Sequence, residues 1–392
     1  MARIPEIPWT GIRTIALANF IPGTVGDSLY IIPVARRLKK AAPHARIILT
    51  GTSQTREVLG DEPAIDEFVE ITELADIGKH QSRLRKGIAV LRVLYRMVRE
   101  LRKRKPDMCF VGIPNFAPYH LVPLFAGIPL RFGFKFPGSV FNFTLTASIP
   151  FRNPITTGDV NVHLSEANLD VLKLVGLPIS AADMILRRNV SDAELQGAHE
   201  VLDDMGVKKP LIVFQAGAKG KNRQWPAERF SSVGKDLVRS CGAHIILAGS
   251  PAEWSLCERI RLDIGEGCTN LAGKVPFGTL AGLLSCCDLV LGNDSGLMHL
   301  AASVGAQTAV LFGSPNPNHS RPLGAKRAII IVPPTWNPGA LFENEPTDLP
   351  SKYLLDIDTD IVLIACRDAL AGRIRDGWYQ KAGAKGIQRT ST

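Results

Sequence analysis

The segment 289–302 constrains this chain more than any other. Three apolar residues, Leu289-Val290-Leu291, run into a short polar turn, and the turn opens at once into a helix. Leu297, Leu300, Ala301 and Val304 recur at i, i+3, i+4 and i+7, the spacing with which a helix buries one face. Asp294 or Ser295 is placed to cap that helix, because a short side-chain oxygen accepts from an unpaired first-turn N–H. The same N–H groups, with the positive end of the helix dipole, form a seat for an anion and above all for a phosphate. His299 is expected on the non-core side of the first turn, within reach of the same ligand. On its own the turn serves equally well as a cap with no ligand.

At 392 residues the chain is long enough for two domains, each with its own core. Strand and helix alternate twice. Residues 14–18 read as a strand, followed by the loop 19–26, a helix over 28–41 and a strand over 45–49. A strand follows at 108–111, and a helix over 165–175 stops at Gly176 with Pro178 beyond. The polar stretch 180–191 is the best linker. The pattern then restarts with a strand at 211–214, a Gly- and Lys-bearing loop at 215–223, a helix over 227–239 and a strand at 244–248. Further strands are expected at 289–291 and 308–312. The fold class is therefore α/β, with two doubly wound, Rossmann-like domains at 1–183 and 190–350. A helical segment and tail should fill 351–392, with a helix over 360–373 and a polar, frayed end from Lys381. In such domains ligands bind at the carboxyl ends of the strands.

The net charge of +9 is unevenly placed. The first 180 residues carry 23 Lys and Arg against 15 Asp and Glu, and the remainder 23 against 22. Between Lys79 and Lys105 there are eleven basic residues and a single acid, Glu100. Leu84, Ile88, Leu91, Tyr95, Val98 and Leu101 step by three and four there, which predicts an amphipathic basic helix. It could rest on an anionic membrane surface, meet an acidic substrate, or be a crossover helix with a solvated basic face. Nucleic acid is not an expected partner, since no recognition module or aromatic platform accompanies the charge. Seven cysteines, with no short paired spacing beyond Cys286-Cys287, suit reduced thiols rather than a zinc ribbon. The opening residues, with Arg3, Glu6 and two prolines, do not read as a signal peptide, and no apolar run is long enough to span a bilayer. A cytoplasmic protein is expected. Asp356, Asp358 and Asp360 tempt as a metal site, but they precede a helix and read as capping and dipole residues.

Three loops concentrate the groups that could do chemistry. In Gly23-Thr24-Val25-Gly26-Asp27-Ser28 the glycines permit close backbone approach, and Asp27 is either a helix cap or a general base at a cleft edge. The loop from Gln215 to Pro226 brings Lys219, Lys221 and Arg223 to one strand end, where cations suit a diphosphate or are merely solvated. Glu253, just past the strand that ends near Ala248, could hold a ribose hydroxyl pair or simply open a helix.

Taken in order, these stretches resemble the lipopolysaccharide heptosyltransferases, glycosyltransferase family 9. The resemblance is carried by Gly26-Asp27-Ser28-Leu29, Pro43-His44-Ala45-Arg46-Ile47, the segment from Ala126 to Phe134, and His163 to Gly176. It continues through Gly217-Ala218, Arg223-Gln224-Trp225-Pro226, Arg229-Phe230, Asp294-Ser295-Gly296 with His299, and Leu311-Phe312-Gly313-Ser314. It covers about residues 12–330. It implies the GT-B fold, two facing Rossmann-like domains with a cleft between them, and inverting transfer of a sugar, typically heptose, from an ADP-sugar. The acceptor it implies is a lipopolysaccharide core or related anionic glycolipid, and the enzyme would be peripheral on the inner face of the inner membrane. It places Asp27 on the family's base, and Gly26, Ser28 and Arg131 on the acceptor side. Asp294, Ser295, Gly296 and His299 fall on the diphosphate motif, Arg223 with Lys221 and Lys219 on the donor side, and Glu253 near the ribose. No cofactor or divalent metal is implied. Three departures bear on the donor: Gln215-Ala216-Gly217 stands where His-Pro-Gly is commoner, Arg223 replaces a commoner Lys, and the loop from Ser314 to Pro322 lacks the Trp often found before its second Pro. A sugar-nucleotide epimerase of similar architecture and a non-catalytic nucleotide-sugar binder are the alternatives.

Overall fold

A computed structural model describes residues 7–18, 24–72, 82–112, 117–135, 137–152, 162–207, 209–337, 345–373, 377–382 and 386–391. The chain divides into two compact units, Met1–Leu186 and Arg187–Thr392.

The first unit runs β1 (Thr14–Ala18), α1 (Val25–Leu29), α2 (Ile31–Ala41), β2 (Arg46–Gly51), α3 (Ser53–Leu59), β3 (Glu67–Glu70) and α4 (Arg83–Arg104). It continues through β4 (Met108–Val111), α5 (Leu121–Phe125), β5 (Leu130–Lys135), β6 (Ala147–Pro150) and α6 (Leu164–Leu169). Its six strands are parallel in the order β3-β2-β1-β4-β5-β6. That is the doubly wound order, in which the chain leaves β1 in one direction and later returns to its other side. The central strands β1, β2 and β4 are buried without alternation, β4 at every residue, as expected of a parallel sheet covered on both faces.

Local chemistry moves several expected boundaries. The helix expected over 28–41 is two helices, because Pro33 has no N–H to give the Leu29 carbonyl and α1 ends there. The helix over 165–175 is α6 followed by a 3₁₀ stretch, Asp170–Val175, which stops at Gly176 with φ 73°. The stretch 180–191 holds the division between the two units, after Leu186, and both its ends are capped. Ser180 and Asp183 form a capping box that closes one turn, and Ser191 with Glu194 forms another that opens the next helix.

The expected basic helix forms, and most of the apolar stripe read from the sequence does not face the core. In α4 the buried row is Ala89, Val93, Met97 and Leu101, packed on the sheet beside Ile48, Val69 and Cys109. Of the expected stripe only Leu101 and the half-buried Val98 join that core. Leu84, Ile88, Leu91 and Tyr95 are exposed. Two apolar rows share one helix, and one of them meets the sheet. Complete burial of Val93, Met97 and Leu101 is worth roughly 1.5–3 kcal/mol each.

The second unit runs α7 (Asp192–Asp204), β7 (Leu211–Gln215), α8 (Ala227–Cys241), β8 (His244–Leu247), α9 (Trp254–Ile264), β9 (Cys268–Asn270) and α10 (Phe277–Cys286). Then come β10 (Leu289–Asn293), α11 (Gly296–Ser303), β11 (Thr308–Leu311), α12 (Pro317–Ser320), β12 (Ala328–Ile331), α13 (Lys352–Leu355), α14 (Thr359–Leu370), β13 (Gly377–Ala382) and β14 (Gly386–Ser391). Its sheet reads β9-β8-β7-β10-β11-β12-β13-β14, parallel except for the β13–β14 pair. From β9 to β12 this repeats the strand order of the first unit. Residues 351–373, expected as a separate helical segment, pack into this unit, and the end expected to fray from Lys381 carries the close of β13 and β14. Leu354, Ile357, Ile361, Val362 and Ala365 lie in its core. β13 pairs with β12, and the buried Tyr379 donates to Asp368 Oδ2 at 3.2 Å, pinning β13 to α14. Asp358 holds the N-cap position of α14 and Asp360 its first turn, as a dipole reading requires.

Candidate functional site

In the first unit the order reverses between β1 and β4, and the carboxyl ends of these strands frame a pocket. Leu17 and Ala18 of β1, Phe110 and Val111 of β4 and Phe134 of β5 make its wall apolar. Asp27 in the first turn of α1 and Tyr30 just past its end also line the pocket. Asp27 is half-buried, and the Thr24 hydroxyl donates to its Oδ2. A carboxylate fixed at one oxygen beside an apolar wall can accept a proton from a hydroxyl laid in the pocket. Gly26 precedes it in the same turn. Gly23 lies outside the described residues.

Two expected acceptor residues are not presented there. Ser28 is 1% exposed, and its hydroxyl donates to the Thr24 carbonyl at 2.9 Å, so it is spent inside the helix. Arg131 sits near the amino end of β5, paired in register with Cys109, whereas the pocket is reached by Phe134. Its Nη1 donates to the carbonyls of Ile128 and Pro129 at 2.8 and 3.0 Å. The guanidinium closes the turn that feeds β5. Tyr30, Phe134 and Asn168, which line the pocket, were not anticipated. They come from three separate elements, and nothing local in the sequence brings them together.

In the second unit the order reverses between β7 and β10, and almost every expected donor residue gathers at that point. Asn293, the last residue of β10, is fully buried and stitches the two strand ends together. Its Nδ2 donates to the Ala216 carbonyl at 2.8 Å, and its Oδ1 accepts from the Trp225 N–H at 2.9 Å. Ser295 Oγ donates to Gln215 Oε1 at 3.0 Å, and Gln215 Nε2 to the Gly217 carbonyl at 2.6 Å. Trp225 is 1% exposed, edge-on to Phe230, with Nε1 donating to the Ile357 carbonyl at 3.0 Å. It anchors the loop that carries Arg223. Asn293, Gln215 and Trp225 thus position the site; a polar residue ending an apolar strand was the available signal.

Neither Asp294 nor Ser295 caps α11, contrary to expectation. Ser295 occupies the N-cap position with its hydroxyl turned to Gln215, and no side chain caps the helix. The Asp294 carboxylate instead faces Arg223, with Oδ2 3.4 Å from Nη1. The amides of Ser295, Gly296 and Leu297 donate to no acceptor in the described residues, while those of Met298 and His299 reach the Ser295 carbonyl. Asp294 is 6% exposed, and burial lifts its carboxyl to about 6 although Arg223 draws it down. His299 is also 6% exposed and not on a solvent-facing side. α11 is buried on nearly all sides, as an element apolar all round must be. Burial, and then Arg223, push the imidazole down to about 4, so it is neutral at physiological pH.

Arg223 remains half-exposed at this crowded point, and Lys219 and Lys221 are exposed along the same loop. That loop is held by its backbone: Lys221 N donates to the Thr347 carbonyl at 2.8 Å. Glu253 is part of a capping box, its Oε2 accepting from Ser250 N and Oγ at 2.7 and 2.8 Å. Its Oε1 lies against Gly217, where a Cβ would come within 1.6 Å. Capping and a place at the strand ends are therefore compatible. The combination of unpaired first-turn amides, a half-exposed guanidinium and flanking lysines can receive a diphosphate. Among the described residues no group of three or more His, Cys, Asp or Glu is placed to hold a metal ion.

The family model described as glycosyltransferase family 9 (heptosyltransferase) matches residues 95–345. The chain belongs to this family. It is an α/β glycosyltransferase of the GT-B class. This family 9 member is 26% identical over 360 residues to lipooligosaccharide heptosyltransferase 2 of Haemophilus influenzae, covering 89% of this chain and 98% of that one. In three dimensions it resembles a family 9 glycosyltransferase from Veillonella parvula, with a TM-score of 0.74 at 22% identity, covering 92% and 97%. The Escherichia coli ADP-heptose LPS heptosyltransferase II gives 0.66 at 22% identity, covering 92% and 99%.

Proposed function

We propose that this glycosyltransferase transfers heptose from ADP-heptose to the lipopolysaccharide core, or a related anionic glycolipid, with inversion at the anomeric carbon. The observation that carries this reading is the convergence of Arg223 with the first-turn amides of α11 at the strand reversal of the second unit. The names of the Haemophilus and Escherichia relatives supply the sugar and the acceptor class.

The first-turn amides of Ser295, Gly296 and Leu297 take the diphosphate oxygens, and Arg223 with Lys219 and Lys221 neutralises the charge that grows as ADP departs. These cations do the work a divalent ion does in other transferases, so the reading needs no metal. Asp294 orients Arg223 from below, and neutral His299 supplies bulk and a hydrogen-bonding ring under the turn. The exposed edge of the Glu253 carboxylate accepts from the ribose hydroxyls. In the first unit Asp27 takes the proton from the acceptor hydroxyl, which attacks the anomeric carbon as the carbon–oxygen bond to the diphosphate breaks. Gly26 leaves room for the acceptor over the apolar pocket. The reaction runs on the cytoplasmic side of the inner membrane, where a nucleotide sugar is available.

The test is turnover of ADP-heptose with heptose-free core acceptor, read by mass spectrometry. Asp27→Asn should lower turnover by about a thousandfold, in the range of a lost general base, with ADP affinity near wild type. Retained turnover removes Asp27 from the mechanism. Conversion of the nucleotide sugar without acceptor would make the chain an isomerase instead.

A further inference from the structure

The outward row of α4 is built for a surface that is both apolar and negatively charged. At roughly 100° per residue, Leu84, Ile88, Leu91 and Tyr95 fall within one narrow strip of the helix. Their exposures are 74, 43, 65 and 68%. The strip does not end with the helix. Its next position is Arg102, whose Nε donates to the Phe125 carbonyl at 2.8 Å, and α5 packs on α4. Phe125 is 55% exposed, and the turn Val140–Thr144, which packs on α5, adds Val140 at 72% and Phe143 at 76%. Of the large apolar side chains exposed among the described residues, most lie on these three neighbouring elements.

Charge frames this row on one side. Arg85, Arg92, Arg96, Arg99 and Lys103 follow at about 60–120° around the helix, between the apolar strip and the core face. The single acid of the helix is turned away. Glu100 is 7% exposed and held down to about 2, chiefly by its hydrogen bond with Arg104. No carboxylate among the described residues pairs with Arg85, Lys86 or Arg92. An acidic protein partner would match the charge but gains little from a strip that projects singly from a convex helix. A bilayer interface takes both: the ring and aliphatic side chains enter the acyl boundary while the long basic stems reach the headgroups. A helix of this kind suits the surface of a bilayer and not its interior. No described helix is long and apolar enough to cross a membrane, and α4 has nine basic residues in 22.

We propose that α4, with Phe125 and Phe143 beside it, docks the chain on an anionic phospholipid surface by shallow insertion of Leu84, Leu91 and Tyr95. The inference stands on this surface and not on the transfer reaction, so vesicles free of glycolipid acceptor are the right probe. Full-length protein should co-sediment with phosphatidylglycerol-rich vesicles and not with pure phosphatidylcholine, and high salt should weaken the binding. Leu91→Glu with Tyr95→Glu should reduce it by at least about tenfold, since each side chain forfeits the burial of a large apolar group. Both positions are exposed, so the variant's melting temperature and ADP binding should match wild type. In a Leu91→Trp variant the indole emission should shift to the blue on adding these vesicles. Equal binding by wild type and the double Glu variant, or an indole emission that does not shift, overturns the proposal. So does light scattering that shows a dimer lost in the double Glu variant without any vesicle binding, which would give the face to a second copy of the chain.

Discussion

Replacing Asp294 by Asn should stabilise the second unit at neutral pH, and the gain should disappear in acid. Buried beneath the α11 turn, the carboxyl titrates near 6 in place of the ordinary value near 4. Between those values the folded chain holds a proton that the unfolded chain has released. Stability therefore falls as pH rises across that window, and above pH ~6 the ionised carboxylate costs about 3 kcal/mol. His299 titrates with the opposite sign. Its folded value near 4 lies below the ordinary value near 6.5, so its contribution is present above the upper value and lost as pH falls through the window. The two slopes nearly cancel in the wild type, and a simple pH–stability profile would show neither. The variant separates them. Asn cannot ionise, and the lost contact with the half-exposed Arg223, 3.4 Å away, is worth at most about 1 kcal/mol. The net gain at pH ~7.5 should be about 2 kcal/mol, roughly 4–8 °C for a unit of this size, and near zero at pH ~4. Paired thermal melts of wild type and variant, followed across that range, measure it directly. A stability difference that does not change with pH, or a variant that melts lower at neutral pH, refutes the account of Asp294 as a desolvated carboxylate.

Two further substitutions probe the same turn. Arg223→Gln should weaken ADP binding by about tenfold or more, the worth of a charge-assisted hydrogen bond, and flatten its salt dependence, both read by calorimetry. It should also raise the titration of both Asp294 and His299, since Arg223 holds each one down; unchanged ADP affinity would place the diphosphate elsewhere. Gly217→Ala drives a Cβ within 1.6 Å of Glu253 Oε1, so Glu253 must leave its capping box at a cost of roughly 1 kcal/mol, together with ADP affinity. In a Glu253→Ala background the same change should cost almost nothing, and additive losses in that cycle would sink the claim that Gly217 acts through Glu253.

What could be seen in the sequence was local, and what could not was set by contacts far along the chain. β1, β4, β7 and β10 have continuous apolar runs bounded by turn residues, and their positions follow from that pattern alone. Asp294 and Ser295 stay together for the same local reason, but their meeting with Arg223 needs the pairing of β10 with β7. α4 shows the limit. Periodicity locates apolar rows but does not say which row meets the sheet when a helix has two. Leu84, Ile88, Leu91 and Tyr95 step as regularly as Ala89, Val93, Met97 and Leu101, yet it is Val93, Met97 and Leu101 that join Ile48 and Val69 in the core. Ser28 and Arg131 show another limit. The resemblance put Ser28 beside Asp27 on the acceptor side, yet one helix step turns its hydroxyl toward the Thr24 carbonyl. Arg131 entered through a motif, and its guanidinium is consumed by three backbone carbonyls at the wrong end of β5. β13 and β14 escaped notice because Lys381, Gln388 and Arg389 give their strands no apolar run.

The two units share one strand order and place their candidate residues at the same topological point, yet the content of that point is opposite. Between β1 and β4 the wall is Leu17, Phe110, Val111 and Phe134, with a single carboxylate on the rim. Between β7 and β10 it is Gln215, Asn293 and Ser295, cross-linked by hydrogen bonds, with Arg223 above them. The backbone course does not explain this difference, since it is common to both. The difference lies in the connection that leaves each unit's first strand. In the first unit the next helix, α1, brings one acid to an otherwise apolar wall. A longer loop into α8, anchored by Trp225 and by the Thr347 carbonyl, holds three cations over a polar floor. Exchanging the chemistry of the two units would thus require changing two loops and the residues at four strand ends, with both cores left as they are.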